Sequence, residues 1–125
     1  MTKIAGIGFR DGATLAAILD ALARAGAADA RHLALPARKA GHPLAEALRA
    51  RGHALTWVPD DILAATETLT QSAIARRHYA TGSIAEAAAL AAARAHFPGA
   101  RLAGPRALSV DRMATAALAL TGDPT

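Results

Sequence analysis

The sequence predicts an α/β fold, a three-layer α/β/α sandwich around a mostly parallel or mixed sheet of about five strands. Three observations predict it. Apolar stretches of strand length alternate with stretches whose apolar residues recur at helical spacing. Prolines and most glycines stand at the ends of these stretches. The chain has 125 residues, 53% of them hydrophobic, which is enough for one core and one domain, placed at 1–122.

The elements follow in order. Residues 3–9, KIAGIGF, read as a buried first strand ending in glycines. Leu15, Ile18, Leu19 and Leu22 then recur as one face of a helix, which Thr14 or Asp11 can cap and Gly26 can end. Residues 32–35 form a short strand stopped by Pro36. Pro43 suits the first turn of a helix running to about Arg51, and Gly52 closes it. Residues 54–58 make the next strand, ended by Pro59, with a short helix at 60–65. Residues 71–79 read as helix. After Thr81-Gly82, Ser83 and Glu86 form a capping box for an alanine-rich helix at 84–96, whose small side chains let it lie close to a sheet. Pro98-Gly99 turns the chain. Two weak strands follow, near 101–104 and 113–120, the second also readable as helix, and they are close enough to pair antiparallel. The only tail is GDPT at the C-terminus.

Composition excludes several classes of function. Charged residues make up only 19%, against a disordered chain. Aromatics are 3% (Phe9, Trp57, Tyr79 and Phe97), too few to stack a single-stranded nucleic acid, and the net charge of +4 is modest. The absence of cysteine excludes a disulfide scaffold, a thiolate nucleophile, a zinc ribbon and an iron–sulfur cluster. Gly6, Gly8, Arg10 and Asp11 break the N-terminal apolar run, so it does not read as a signal peptide. No stretch of about 18 uncharged apolar residues offers a membrane span. The expected location is the cytoplasm. Twelve of the fourteen basic residues are arginine, which suits bidentate recognition of carboxylate or phosphate. A GC-rich genome also yields alanine and arginine in excess, so position must decide which arginines matter.

Four places combine cations with exposed backbone. Gly6-Ile7-Gly8-Phe9-Arg10-Asp11-Gly12 lies between a strand and a helix, where glycines let the backbone approach an anion. It departs from the strict dinucleotide fingerprint, and no acidic residue closes the second strand. Arg38 could hold a 2′-phosphate instead, which keeps a nucleotide-binding reading open. Arg38-Lys39 follows the second strand, and it shares a sheet edge with Arg10 if the two strands are parallel neighbours. Arg76-Arg77-His78-Tyr79 precedes the Thr81-Gly82-Ser83 turn, which offers hydroxyls and free amides at a helix start. Arg106 follows a late strand. Each has a plainer use, as a tight turn, a solvated charge pair or an ordinary helix cap. The five histidines (32, 42, 53, 78 and 96) show no metal-ligand spacing, and no catalytic motif or cofactor fingerprint stands out. His42 and His78 lie near the expected site.

GIGFR at 6–10, the K-A-x-x-P run from Lys39 to Pro43 and ATGSIAEAAAL at 80–90 occur in an order that resembles the CobE / CbiG C-terminal family of cobalamin biosynthesis. The resemblance covers nearly the whole chain and looks most like the stand-alone, single-domain CobE type of the aerobic pathway. It implies a three-layer α/β/α fold and a role with precorrin-type tetrapyrroles, rings fringed with carboxylates. Other cobalamin-pathway enzymes are candidate partners, while the composition argues against a membrane or nucleic acid. Phe9 stands where the family often has cysteine, and His42 where an acidic residue is common. The resemblance and the residues together point to Gly8, Arg10, Lys39, Thr81, Gly82 and Ser83 as substrate-binding. No residue is assigned as catalytic, no cofactor is called for, and the alternative is an enzyme that acts on the ring, such as a lactone-opening hydrolase.

Overall fold

A computed structural model describes residues 2–121; Met1 and the GDPT tail, with position 122 of the expected domain, lie outside the described residues. The chain runs β1 (Thr2–Phe9), α1 (Leu15–Arg24), β2 (His32–Pro36), a 3₁₀ turn (Ala37–Lys39), α2 (Pro43–Ala50) and β3 (Ala54–Val58). It continues with α3 (Asp60–Ala65), α4 (Ala73–Tyr79), α5 (Ile84–Arg94), β4 (Arg101–Leu102), β5 (Ala107–Leu108) and β6 (Ala114–Thr121). The sheet has six strands in the order β3-β2-β1-β6-β4, with β5 beside β6. β1, β2 and β3 are parallel, whereas β6 pairs antiparallel with β1 from Thr2–Thr121 to Phe9–Ala114.

The alternation expected in the sequence is therefore present, and the sheet is mixed. The 113–120 stretch resolves as strand, and it pairs antiparallel with β4. The expectation of about five strands missed β5, two residues that cover the first half of β6. So short a strand has no periodicity of its own to read.

Alternate residues of β1 serve the two faces of the sheet. Ala5, Ile7 and Phe9 pack with Ile18 and Leu22 of α1 and Leu48 of α2. Ile4 faces the other side, with Leu63 of α3 and the alanines of α5. The layers are thus α1 and α2, the sheet, then α3 and α5. Thr14, and not Asp11, caps α1, accepting from the amide of Ala17 at 3.1 Å.

Helix α5 is buried almost all round, with Ala85, Ala87, Ala88, Ala89, Leu90 and Ala93 inside. Small side chains bring its backbone down onto β1. A methyl group on Gly6 would overlap the carbonyl oxygen of Ala85 and lie 2.6 Å from the amide nitrogen of Ala89. On Gly8 it would lie 2.9 Å from the Thr115 hydroxyl and 3.3 Å from Cβ of Ile84. The glycines of GIGFR thus make room for a helix, a use that the reading as an anion seat did not anticipate.

Candidate functional site

A cleft of about 700 Å³ opens at the carboxyl ends of β1 and β2. It lies outside the carboxyl ends of parallel strands, where open α/β sheets hold ligands. Its floor is apolar, formed by Phe9, Ala75, Ile84, Leu108 and Met113, with the exposed Ile74 at its edge. Its basic side chains are Arg10, Arg38, Lys39, Arg106 and Arg112, joined by His78. Four chain segments distant in sequence supply them: the end of β1, the turn after β2, helix α4 and the strands of the β6 edge.

The cations fall into two groups. Arg38 and Lys39 are already engaged. Arg38 reaches Asp60 at 2.7 Å and lies over the Tyr79 ring, 4.3 Å from its centre. Lys39 pairs with Asp11 and sits 4.9 Å from the centre of the Phe9 ring. The hydrogen bond and charge of Lys39 hold the Asp11 carboxyl below the usual carboxylate range. Arg10, Arg106 and Arg112 belong to the second group: among the described residues their guanidinium groups pair with no carboxylate.

Both ring nitrogens of His42 are in use. Nδ1 accepts from the amide of Leu44 at 3.1 Å, capping α2, and Nε2 donates to the Asp11 carbonyl at 2.9 Å. Those bonds assign the tautomer and leave no lone pair for proton abstraction. His78 on α4 is exposed and lines the cleft.

Gly8, Arg10 and Lys39 of the expected site line this cleft, as does Arg106. The Thr81-Gly82-Ser83 turn does not. Thr81 and Ser83 are buried, and the Ser83 hydroxyl is spent on the amide of Glu86 at 3.3 Å. The backbone carbonyl of Gly82 accepts from Ser72, and a methyl group at Gly82 would lie 2.7 Å from the Gln71 side chain. Thr81 and Gly82 border a separate hollow of about 290 Å³ beside Thr68, Gln71 and Arg76. The turn is covered because the segment before α4 is tied down over it.

Glu86 does the tying. It is fully buried and accepts from the amides of Leu69, Thr70 (2.9 Å) and Arg106 (2.9 Å) and from the Thr70 hydroxyl. Sequence reasoning gave it the reciprocal half of a capping box, and it instead staples two loops to α5. Burial pushes its carboxyl up; the Thr70 hydroxyl and the backbone amides of Arg106, Thr70 and Leu69 outweigh that and hold it below its ordinary value. A carboxyl depressed in the folded state stabilises above its unfolded pKa, about 4.3, and that stability is lost as pH falls through the folded value. Glu86→Gln should therefore melt about 10 °C below the parent at neutral pH. Thermal scans from pH 7 to pH 3 should show the gap closing with acid, and a constant gap would contradict this assignment.

The residues 3–119 match the family model described as cobalamin synthesis G C-terminus. The chain belongs to that family. It is similar to the crystal structure of CobE, a protein from the cobalamin (vitamin B12) biosynthetic pathway, at 34% identity and a TM-score of 0.80, over 98% of this chain and 93% of that one. It is also similar to the cobalamin biosynthesis protein chiG from Agrobacterium tumefaciens str. C58, at 32% identity and a TM-score of 0.68, over 98% of this chain and all of that one. No curated protein matched. Among the described residues no helix is long and apolar enough to cross a membrane. In this member of the cobalamin family, Phe9 packs into the core and meets His42 edge-on, with ring centres 4.9 Å apart. The two departures singled out in the sequence thus touch each other, under Lys39. Arg38, the residue a nucleotide 2′-phosphate would need, is held by Asp60.

Proposed function

We propose that this protein binds a precorrin-type polycarboxylate tetrapyrrole of cobalamin synthesis in the cleft at the ends of β1 and β2, in the cytoplasm, without itself needing a cofactor. The observation that carries the reading is a set of five cationic side chains lining one cleft with an apolar floor. The floor suits the face of a macrocycle, and the rim suits its carboxylates. The volume lies within the range of sites that enclose small molecules. Arg10 and Arg106 would meet carboxylates directly, and Lys39 would exchange Asp11 for one. Gly8 lines the cleft, and the Thr81–Ser83 turn, which borders the separate hollow, takes no part in this reading. Membership of the cobalamin family supports the choice of a tetrapyrrole over other polyacids.

Titration with hydrogenobyrinic acid, followed by its visible spectrum, tests the reading. Saturable change at tens of micromolar, weakened by salt, is expected. A spectrum unmoved at those concentrations would contradict it. Asp11 occupies the place of a ligand carboxylate on Lys39, so Asp11→Asn should bind about twofold to threefold tighter. The same titration checks this, and weaker binding would show that Asp11 serves the ligand instead of competing with it.

A further inference from the structure

Arg112 holds a backbone conformation that arginine rarely adopts. Its φ is +61°, in the left-handed region. It ends the turn joining β5 to β6, where its amide donates to the Ser109 carbonyl at 2.9 Å. A left-handed residue following a hairpin turn is ordinarily glycine.

The turn is fixed from several sides. The Asp111 carboxylate accepts from the Ser109 hydroxyl at 2.6 Å and from the Met113 amide at 3.0 Å. The Ser109 hydroxyl accepts from the Ala114 amide at 3.0 Å, and Asp20 of α1 accepts from the Val110 amide at 2.8 Å. The Arg10 amide donates to the Met113 carbonyl at 2.9 Å, joining the turn to the end of β1. All of these bonds use backbone or other side chains. The Arg112 guanidinium is exposed, lines the cleft and makes no hydrogen bond or ion pair among the described residues. The polar contacts that fix the turn therefore do not involve this side chain, while the position penalises having one. The other left-handed non-glycine among the described residues, Ala80, ends α4, where such a residue closes a helix, and it presents only a methyl group.

We propose that Arg112 is a ligand-binding residue: a guanidinium carried on a rigid, strained turn to the rim of the cleft, where it takes a carboxylate of the bound molecule. Strained positions that their surroundings over-determine cluster at ligand sites, and the planar fork of arginine matches a carboxylate. The inference rests on the reading of the cleft as a polycarboxylate site.

Thermal unfolding and hydrogenobyrinic acid titration of the parent protein, Arg112→Gly, Arg112→Ala and Arg10→Ala test it. Arg112→Gly should melt about 3 °C higher, because strain is relieved, and bind about fivefold weaker. Arg112→Ala should lose the same affinity without the gain in melting temperature. A lower melting temperature for Arg112→Gly would show that the arginine holds the fold, and would overturn the proposal. So would undiminished affinity in both Arg112 variants while Arg10→Ala binds weakly, a result that would leave the reading of the cleft standing. A parent protein that fails to bind would remove that reading and the proposal together.

Discussion

Gly6→Ala should cost about 3 kcal/mol or more and lower the melting temperature by about 10 °C, or prevent folding altogether. The new methyl group would occupy space held by the Ala85 carbonyl and the Ala89 amide. Those are backbone atoms of a helix with no slack: α5 packs on β1, β2 and β6 through alanines that are already as small as a helix-forming residue can be. Relief would require the whole helix to lift from the sheet, opening the second core. Gly41→Ala and Gly104→Ala provide the comparison, since a methyl group at either meets nothing within 4 Å. Circular dichroism melts of the three variants should place Gly6→Ala far below the other two, which should stay close to the parent. Three similar melting temperatures would mean that α5 is not seated on β1 as described.

Loss of both Arg10 and Lys39 should weaken hydrogenobyrinic acid binding by about thirtyfold or more. Charge-assisted contacts in a partly dehydrated cleft are each worth about 1.5–3 kcal/mol, whereas exposed pairs are worth about 0–1. The matched control is Arg49→Ala with Arg51→Ala, which removes the same charge from the far end of α2, where Arg49 is engaged with Glu46. That control should bind within about threefold of the parent, because charges beyond the Debye length are screened at physiological salt. Equal losses in the two double variants would make the attraction a diffuse property of a basic protein.

Much of the fold was legible in the sequence because local signals agreed with tertiary need. Thr14, Gly26, Pro43 and Gly52 stand where helix ends require them, and the 54–58 stretch is a strand. The candidate site was half legible. Arg10, Lys39 and Arg106 could be placed because residues just past parallel strands gather on one edge, and that follows from topology alone. The Thr81-Gly82-Ser83 turn was misplaced for the opposite reason. Its chemistry resembles an anion seat, yet the segment at 66–72 folds over it, held by Glu86, a contact across 16 or 17 residues that no periodicity announces. Gly6 and Gly8 show the same limit. A glycine that admits a ligand and one that admits a helix backbone read alike until the helix is in place. Arg112 left only the turn-forming Ser109 and Asp111 as a signal, since a left-handed φ at a non-glycine residue cannot be read from composition.

Amide chemical-shift mapping of the isotopically labelled protein during titration with hydrogenobyrinic acid reports directly on where a carboxylate-fringed ring sits. The largest shifts should fall at Gly8, Arg10, Lys39, Arg106 and Met113, all on the rim or floor of the one cleft. Shifts centred instead on the hollow at Thr68 and Gly82, or along the open edge of β3, with the amides of Arg10 and Lys39 unmoved, would contradict the account.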